Sequence, residues 1–367
     1  MQRRKFLTGL GAGAAGIAAA PFVSTARAEE EKKPIKWKMV TSWPKNFPAL
    51  GTGANDLAER INTLSGGRLQ VDVYGAGDLV PALEVFDAVS SGTAQMGHSA
   101  AYYWRGKVPA AQFFTAVPFG MTVNETNAWL YRGDGMKLWD ALYEEHNLKP
   151  FAVGNTGTQM AGWFKKEINS LEDMKGLKIR LPGLAGEVMN RIGATAVNMP
   201  GSEIFTSMQT GVLDAADWVG PYNDLAFGLH QVADYYYTTA WNEPSAALEG
   251  TVNLDAWNEL PDDLKAVVEE AARSANLAMI NEFTHRNAQS LKALVDKHGV
   301  KLRSLPEDVI KALSKASEEV LQEQIDKDDS SKEIYDSYKA FQQLVSSYTD
   351  VGEFAYLKNR QLASEAK

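Results

Sequence analysis

The 367-residue chain contains no cysteine. That one absence removes thiol nucleophiles, iron–sulfur clusters, cysteine-ligated zinc and disulfide staples together. Histidine is nearly as scarce, with only His98, His146, His230, His285 and His298. No two of them stand four residues apart and none falls in an HExxH pattern, which argues against histidine-bound zinc. Positive charge is in deficit: 37 basic residues against 46 acidic give −9, the wrong sign for a nucleic-acid binder. GxSxG elbows, P-loops and paired-carboxylate motifs are missing too, so hydrolase and kinase readings have no footing. What is present is a globular composition, 45% hydrophobic and 23% charged, in a chain long enough for two domains.

The first residues read as an address. Gln2-Arg3-Arg4-Lys5-Phe6-Leu7-Thr8 leads a Gly/Ala run to Val23, and Ala26-Arg27-Ala28 supplies the small-x-small pattern of a signal-peptidase site. The arginine pair makes residues 1–28 a twin-arginine export signal, with an ordinary secretory signal as the alternative. The stretch from Lys5 to Val23 is too short and glycine-rich for a spanning helix, which needs about 20 strongly apolar residues. Gly11-Ala12-Gly13-Ala14-Ala15-Gly16 matches GxGxxG in letters only, since no strand precedes it and it leaves with the signal. Cleavage after Ala28 removes four basic residues and no acid, taking −9 to −13. The periplasm is the expected location.

Beyond the signal, strands and helices alternate. Ile35, Trp37 and Met39 interleave with Lys36 and Lys38, a half-buried strand ending near Thr41. Leu57, Ala58, Ile61 and Leu64 recur at helical spacing and stop at Gly66-Gly67. Leu69, Val71 and Val73 predict a second strand, and Leu83, Phe86 and Val89 another helix. Units of this size predict an α/β layered lobe with crossover connections.

A second such lobe begins near Gly157. Ser170-Leu171-Glu172-Asp173 is a capped helix start. Leu177, Ile179 and Leu181 then alternate with Lys178 and Arg180. A helix over about 187–192, a short strand near Ala196 and a helix from Ser202 to Gly211 follow. Tyr235-Tyr236-Tyr237 predicts a strand with alternately buried faces, and Phe113, Phe114 and Phe119 predict core beside a cleft. Between Pro261 and Gly299 nothing breaks a helix carrying the stripe Leu264, Val267, Val268, Ala271, Ala275, Ala278 and Met279. Its length of about 57 Å exceeds either lobe, so it is expected to run across both. The tail from Pro306 reads as amphipathic helices.

Two residues invite a functional reading. His98 follows Gly97 after a buried strand and either approaches a cleft or, more plainly, is a satisfied core histidine. Arg180 sits opposite Leu177, Ile179 and Leu181, with Pro182-Gly183 ending its strand. A planar fork there can hold a carboxylate, and ligands of open α/β sheets gather at strand carboxyl ends. On pattern alone, a surface arginine fits equally.

The run Met174-Lys175-Gly176-Leu177-Lys178-Ile179-Arg180-Leu181-Pro182 continues through Gly193-Ala194-Thr195, Glu203-Ile204-Phe205 and Met208-Gln209-Thr210-Gly211 to Asp214-Ala215-Ala216-Asp217-Trp218. These blocks resemble the signature of solute-binding proteins of tripartite ATP-independent periplasmic (TRAP) transporters, of the DctP type. The resemblance runs from Ser42-Trp43-Pro44 to the long helix. It is nearest to the 2-oxo-acid-binding branch through Ala101-Tyr102-Tyr103-Trp104, Asn155-Thr156-Gly157-Thr158-Gln159 and Trp218-Val219-Gly220-Pro221-Tyr222-Asn223-Asp224.

The resemblance implies an α/β, two-lobed periplasmic binding protein fold of type II character, with a long helix spanning both lobes. Lobe 1 would comprise 35–156 joined by 245–285, and lobe 2 157–244 with 286–345 packed on it. A C-terminal helical tail would occupy 306–367. It also implies that Arg180 grips the ligand carboxylate, with Tyr103 and Asn155 hydrogen-bonding the ligand. Gln159, Asp217, the Trp218 backbone carbonyl and Glu243 would hold a metal cation bound with the ligand, which places Gln159, Trp218 and Glu243 beside the ligand as well. Relatives that bind sodium resemble glutamate where this chain carries Asp217, so the ion is sodium or calcium. All these ligand atoms are oxygens, as hard cations require.

The implied function is capture of a small 2-oxo or 2-hydroxy monocarboxylate, pyruvate- or lactate-like, with hinge closure of the lobes. Delivery would be to the TRAP membrane subunits, from a monomer or a homodimer paired through the tail. Three rival readings stand beside it, one of them sugar binding on stacked tryptophans, against which Arg180 beside an oxygen-lined ion site favours an acid. A periplasmic lyase acting on oxo acids would need a tuned general base in the cleft, and no lone His or Lys fits. A ligand-sensing module for a membrane receptor would share the cleft and differ in its partner surface.

Overall fold

The structure is a computed structural model that describes residues 33–238 and 240–365. The expected signal over 1–28 lies outside the described residues. The chain begins with β1 (Ile35–Thr41), α1 (Leu50–Leu64), β2 (Leu69–Tyr74), α2 (Val85–Ser90) and β3 (Met96–Ser99). Next come α3 (Val123–Arg132), α4 (Gly135–Glu144), β4 (Leu148–Asn155), β5 (Gly162–Phe164), β6 (Lys178–Arg180) and α5 (Gly183–Arg191). The middle continues with β7 (Thr195–Val197), α6 (Gly201–Thr210), β8 (Ala215–Ala216), α7 (Pro221–Phe227) and β9 (Tyr235–Thr238). The last part is β10 (Ala247–Asn253), α8 (Leu254–Asn258), α9 (Asp262–Asp296), β11 (Lys301–Ser304), α10 (Glu307–Lys327), α11 (Asp329–Thr349) and α12 (Ala355–Glu365).

Two sheets organise these elements. The first has the order β2-β1-β3-β10-β4, with β1 parallel to β2 and β3 and β10 antiparallel to both its neighbours. The second has the order β11-β9-β5-β8-β6-β7. The chain therefore crosses between sheets after β4, after β9 and along α9. Local sequence explains the element ends. Ser170 and Asp173 form a reciprocal capping box on a 3₁₀ turn, and α6 stops where Gly211 adopts φ 81°.

The long helix is continuous over 35 residues, about 52 Å. Its first half buries Leu264, Val268, Ala271 and Ala275 with Trp37, Leu57 and Ile61 under the first sheet. Its second half buries Met279, Phe283 and Leu294 with Trp163, Ile204 and Tyr236 under the second. The tail divides. α10 packs on α5 beside the second sheet, whereas α11 packs on α3, α4 and the 3₁₀ turn Pro109–Phe114. Residues 329–345 thus depart from the expected packing on lobe 2. Ile334 and Tyr338 are buried there, and the Tyr338 hydroxyl accepts from the Met121 amide at 2.7 Å.

Two local expectations change. Tyr236 and Tyr237 are both fully buried in β9. Alternation fails because both faces of this sheet are covered, Tyr236 entering one apolar cluster and Tyr237 the other. Phe113 and Phe114 are core, but Phe119 is 38% exposed at a backbone φ of 54°.

Candidate ligand and cation site

Arg180 ends β6 and has no exposed surface. The alternation placed it opposite Ile179 correctly; both faces are covered, so it is not a surface arginine. Its Nε donates to the Met199 carbonyl at 3.3 Å and one terminal nitrogen to the Asp217 carbonyl at 2.9 Å. The other terminal nitrogen donates to the Tyr103 hydroxyl at 3.4 Å. The guanidinium lies 5.2 Å from the Trp218 ring centroid. Burial works against its charge, but Tyr103, Tyr102, Asp217 and Glu243 together hold it firmly protonated.

Tyr103 comes from the 3₁₀ turn Ala101–Trp104 after β3, and Asp217 from the end of β8, so the arginine joins groups from both sheets. Gln159 and Glu243 lie on two of the crossing segments. The Gln159 amide donates to the Glu243 carbonyl at 3.2 Å, stitching those segments together. Asn155 stands one step back. Its Nδ2 donates to Ser245 Oγ at 2.9 Å and its Oδ1 accepts from Gly157 N at 2.8 Å.

Four oxygens here are buried without a hydrogen-bond partner among the described residues: Gln159 Oε1, Asp217 Oδ2, Asn242 Oδ1 and Glu243 Oε2. Asp217 Oδ2 is 3.9 Å from Arg180, which is an ion pair and not a hydrogen bond. Leaving one such oxygen bare costs about 1–3 kcal/mol, so four in one place call for a positive occupant. Burial, and then each other's charge or a neighbour's, raises both carboxyls: Asp217 to about 7 and Glu243 well above its usual range. Carboxylate and amide oxygens are what a hard cation takes. Among the described residues no three acidic or histidine side chains converge on one point. A cation would therefore complete its shell from amide, backbone and ligand oxygens.

Beside these groups is a small cavity walled by Trp43, Tyr102, Tyr103, Gln159, Trp218 and Leu248. A larger groove between α4 and α11, near Lys137 and Glu333, contains no buried orphaned acid. Trp43, Tyr102 and Asn242 escaped the residue-level reading. Tyr102 adjoined a named position, and Asn242 precedes Glu243; Trp43 had no local signal beyond its Ser-Trp-Pro setting. His98 is a buried member of β3 and not a wall of this cavity.

Residues 39–328 match the model of the DctP bacterial extracellular solute-binding proteins, family 7. A monocarboxylate 2-oxoacid-binding periplasmic protein of Nostoc sp. is 42% identical over 88% of each chain. A TRAP periplasmic solute-binding protein from Pseudoalteromonas atlantica, with bound sodium and pyruvate, is 42% identical with TM-score 0.86 over 89% of this chain and 99% of that one. One from Colwellia psychrerythraea, with bound calcium and pyruvate, is 42% identical with TM-score 0.87 over 89% and 100%. A third, from Bordetella bronchiseptica, is a dimer with calcium and picolinate in one site; it is 34% identical with TM-score 0.88 over 91% and 98%. The chain belongs to the DctP family of TRAP-transporter solute-binding proteins.

Proposed function

We propose that this protein captures a small 2-oxo or 2-hydroxy monocarboxylate, such as pyruvate, in the periplasm after twin-arginine export, together with sodium or calcium. The observation that carries this is a fully buried arginine grouped with four orphaned buried oxygens, next to a small cavity lined by Tyr103, Gln159 and Trp218. Arg180 takes the carboxylate, as does the Tyr103 hydroxyl, with Asn155 supplying the spare hydrogen of its amide. Gln159, Asp217, the Trp218 carbonyl and Glu243 hold the cation. A bound cation would supply the positive charge that lets both acids ionise. Arg180 contributes about 1.5–3 kcal/mol as a charge-assisted bond. A micromolar Kd needs about 8 kcal/mol, so cation, apolar walls and lobe closure make up the remainder. As a member of a solute-binding family the protein does no chemistry on what it binds; the loaded form passes to the membrane subunits of the transporter.

Calorimetry on metal-stripped protein with pyruvate and lactate, adding sodium or calcium back, tests this reading. Binding should require the ion. Arg180→Ala should abolish it with the melting temperature near wild type; retained affinity would sink the site.

Pairing of two copies through the C-terminal end is part of the same proposal. No residue of α12 is buried, and Val351, Phe354 and Tyr356, all beyond Thr349, are each more than 60% exposed. The Bordetella relative is a dimer. A chain ended near Asp328 would lose the buried Ile334 and Tyr338, so the cut belongs after Thr349. Sedimentation of that shortened chain should show half the mass of the full one.

A further inference from the structure

Trp43 walls the cavity, its ring centroid 6.2 Å from that of Tyr103 and 6.3 Å from that of Trp218. Its backbone is pinned. The Thr41 hydroxyl donates to its carbonyl at 3.0 Å, and the preceding Ser42 amide donates to the His98 carbonyl at 3.1 Å. Ser42 Oγ also donates to the Ala82 carbonyl at 2.6 Å. Only the side-chain torsions remain to be set, and an indole offers a single polar atom for doing so. That atom, Nε1, donates to His98 Nδ1 at 2.8 Å.

An indole nitrogen only donates, so Nδ1 must accept and the imidazole must be neutral, with its proton on Nε2. Burial pushes the His98 pKa down to about 4, which agrees. The Nε2–H then has no partner among the described residues and no solvent exposure. A buried orphan donor costs about 1–3 kcal/mol, which a leucine here would avoid. The imidazole is therefore explained by what its other nitrogen does.

We propose that His98 is a positioning residue for specificity: its Nδ1 fixes the Trp43 indole and thereby the size of the ligand cavity. This rests on the reading of the cavity as a 2-oxo-acid site. Without the acceptor the indole turns, the wall facing Trp218 loosens, and bulkier tails enter while pyruvate is held less closely.

The test measures Kd for pyruvate and for phenylpyruvate, both in calcium chloride, for the full chain. His98→Leu should weaken pyruvate at least fivefold and shift the phenylpyruvate-to-pyruvate Kd ratio at least threefold toward the bulky acid. His98→Asn, whose amide oxygen falls near the Nδ1 position, should stay within about twofold of wild type in both. Trp43→Phe should reproduce the leucine phenotype, and the double variant should add nothing to it. A His98→Leu protein with wild-type affinity and ratio, or additive effects in the double variant, overturns the proposal.

Nitrogen-15 labelling of tryptophan and histidine provides a check that needs no variant. The wild-type protein should show coupling across the bond between one indole N–H and an imidazole nitrogen, and its absence overturns the proposal. Wild-type protein that binds no 2-oxo acid would refute the cavity reading and this inference with it; wild-type binding with an unaltered leucine variant refutes the inference alone.

Discussion

Arg180 shows how much a single side chain's meaning depends on what surrounds it. A guanidinium with zero exposure and no hydrogen bond to a carboxylate is an expensive group, tolerated where it meets an anion. Asp217 is the companion case, since burial makes its charged form costly. Asp217→Asn should weaken cation-dependent pyruvate binding at least tenfold, about 1.4 kcal/mol, while leaving the ligand-free melting temperature equal or higher. A parallel loss of binding and stability would mean that Asp217 is structural.

Glu249 is a buried acid outside the site, accepting from Trp104 Nε1 and the Tyr143 hydroxyl. Burial raises it to about 7, above its unfolded value of 4.5. The folded state then binds the proton more tightly, so stability falls as pH rises from about 4.5 through 7. Glu249→Gln should match wild type near pH 5 and melt several degrees higher at pH 8, with on the order of 2–3 kcal/mol at stake. Thermal melts across that range decide it.

At the scale of elements, the loop joining β1 to α1 reaches across to the second sheet's helices. Phe47 stacks on Phe227 at 4.2 Å, and the Pro48 carbonyl accepts from Asn223 Nδ2 at 2.9 Å. Asn46 and Ala49 in this loop hold φ of 59° and 57°, the left-handed region that suits glycine. Such backbone costs on the order of 1–3 kcal/mol per residue and persists where contacts enforce it. If those contacts exist only with the lobes closed, Ala49→Gly should slow pyruvate release and Phe47→Ala should speed it severalfold. Stopped-flow tryptophan fluorescence reads both rates, and equal changes in the same direction would remove the loop from the closing step. The Arg105–Glu187 pair at 2.5 Å also spans the two sides, but it is half exposed and should matter little.

For the whole molecule, 37 basic and 46 acidic residues leave a net charge of −9, and the protein still has to admit an anion. Long-range repulsion is screened over about 8–10 Å at physiological salt, so attraction is local to Arg180 and its cation. The association rate for pyruvate at saturating calcium should therefore rise as choline chloride is added from low ionic strength. A falling rate would show that the positive site dominates the field at a distance.

Much of this protein was legible along the chain because the governing physics is short-range. The β/α alternation, the caps at Ser170 and Gly211 and the unbroken 35-residue helix depend on neighbours within a few residues. The family blocks around Arg180 were legible for the same reason, being runs of contiguous residues. Only the tertiary structure decided that Tyr236 and Tyr237 are both buried, because layer coverage is not encoded in a strand's period. It likewise placed α11 on the first sheet's helices, since an amphipathic helix does not name its partner. The orphaned oxygens of Gln159, Asp217, Asn242 and Glu243 meet only where the chain crosses between sheets, and His98 reaches Trp43 across 55 positions. Those distances are closed by burying two sheets around one helix, a cooperative property of the fold that no local pattern carries.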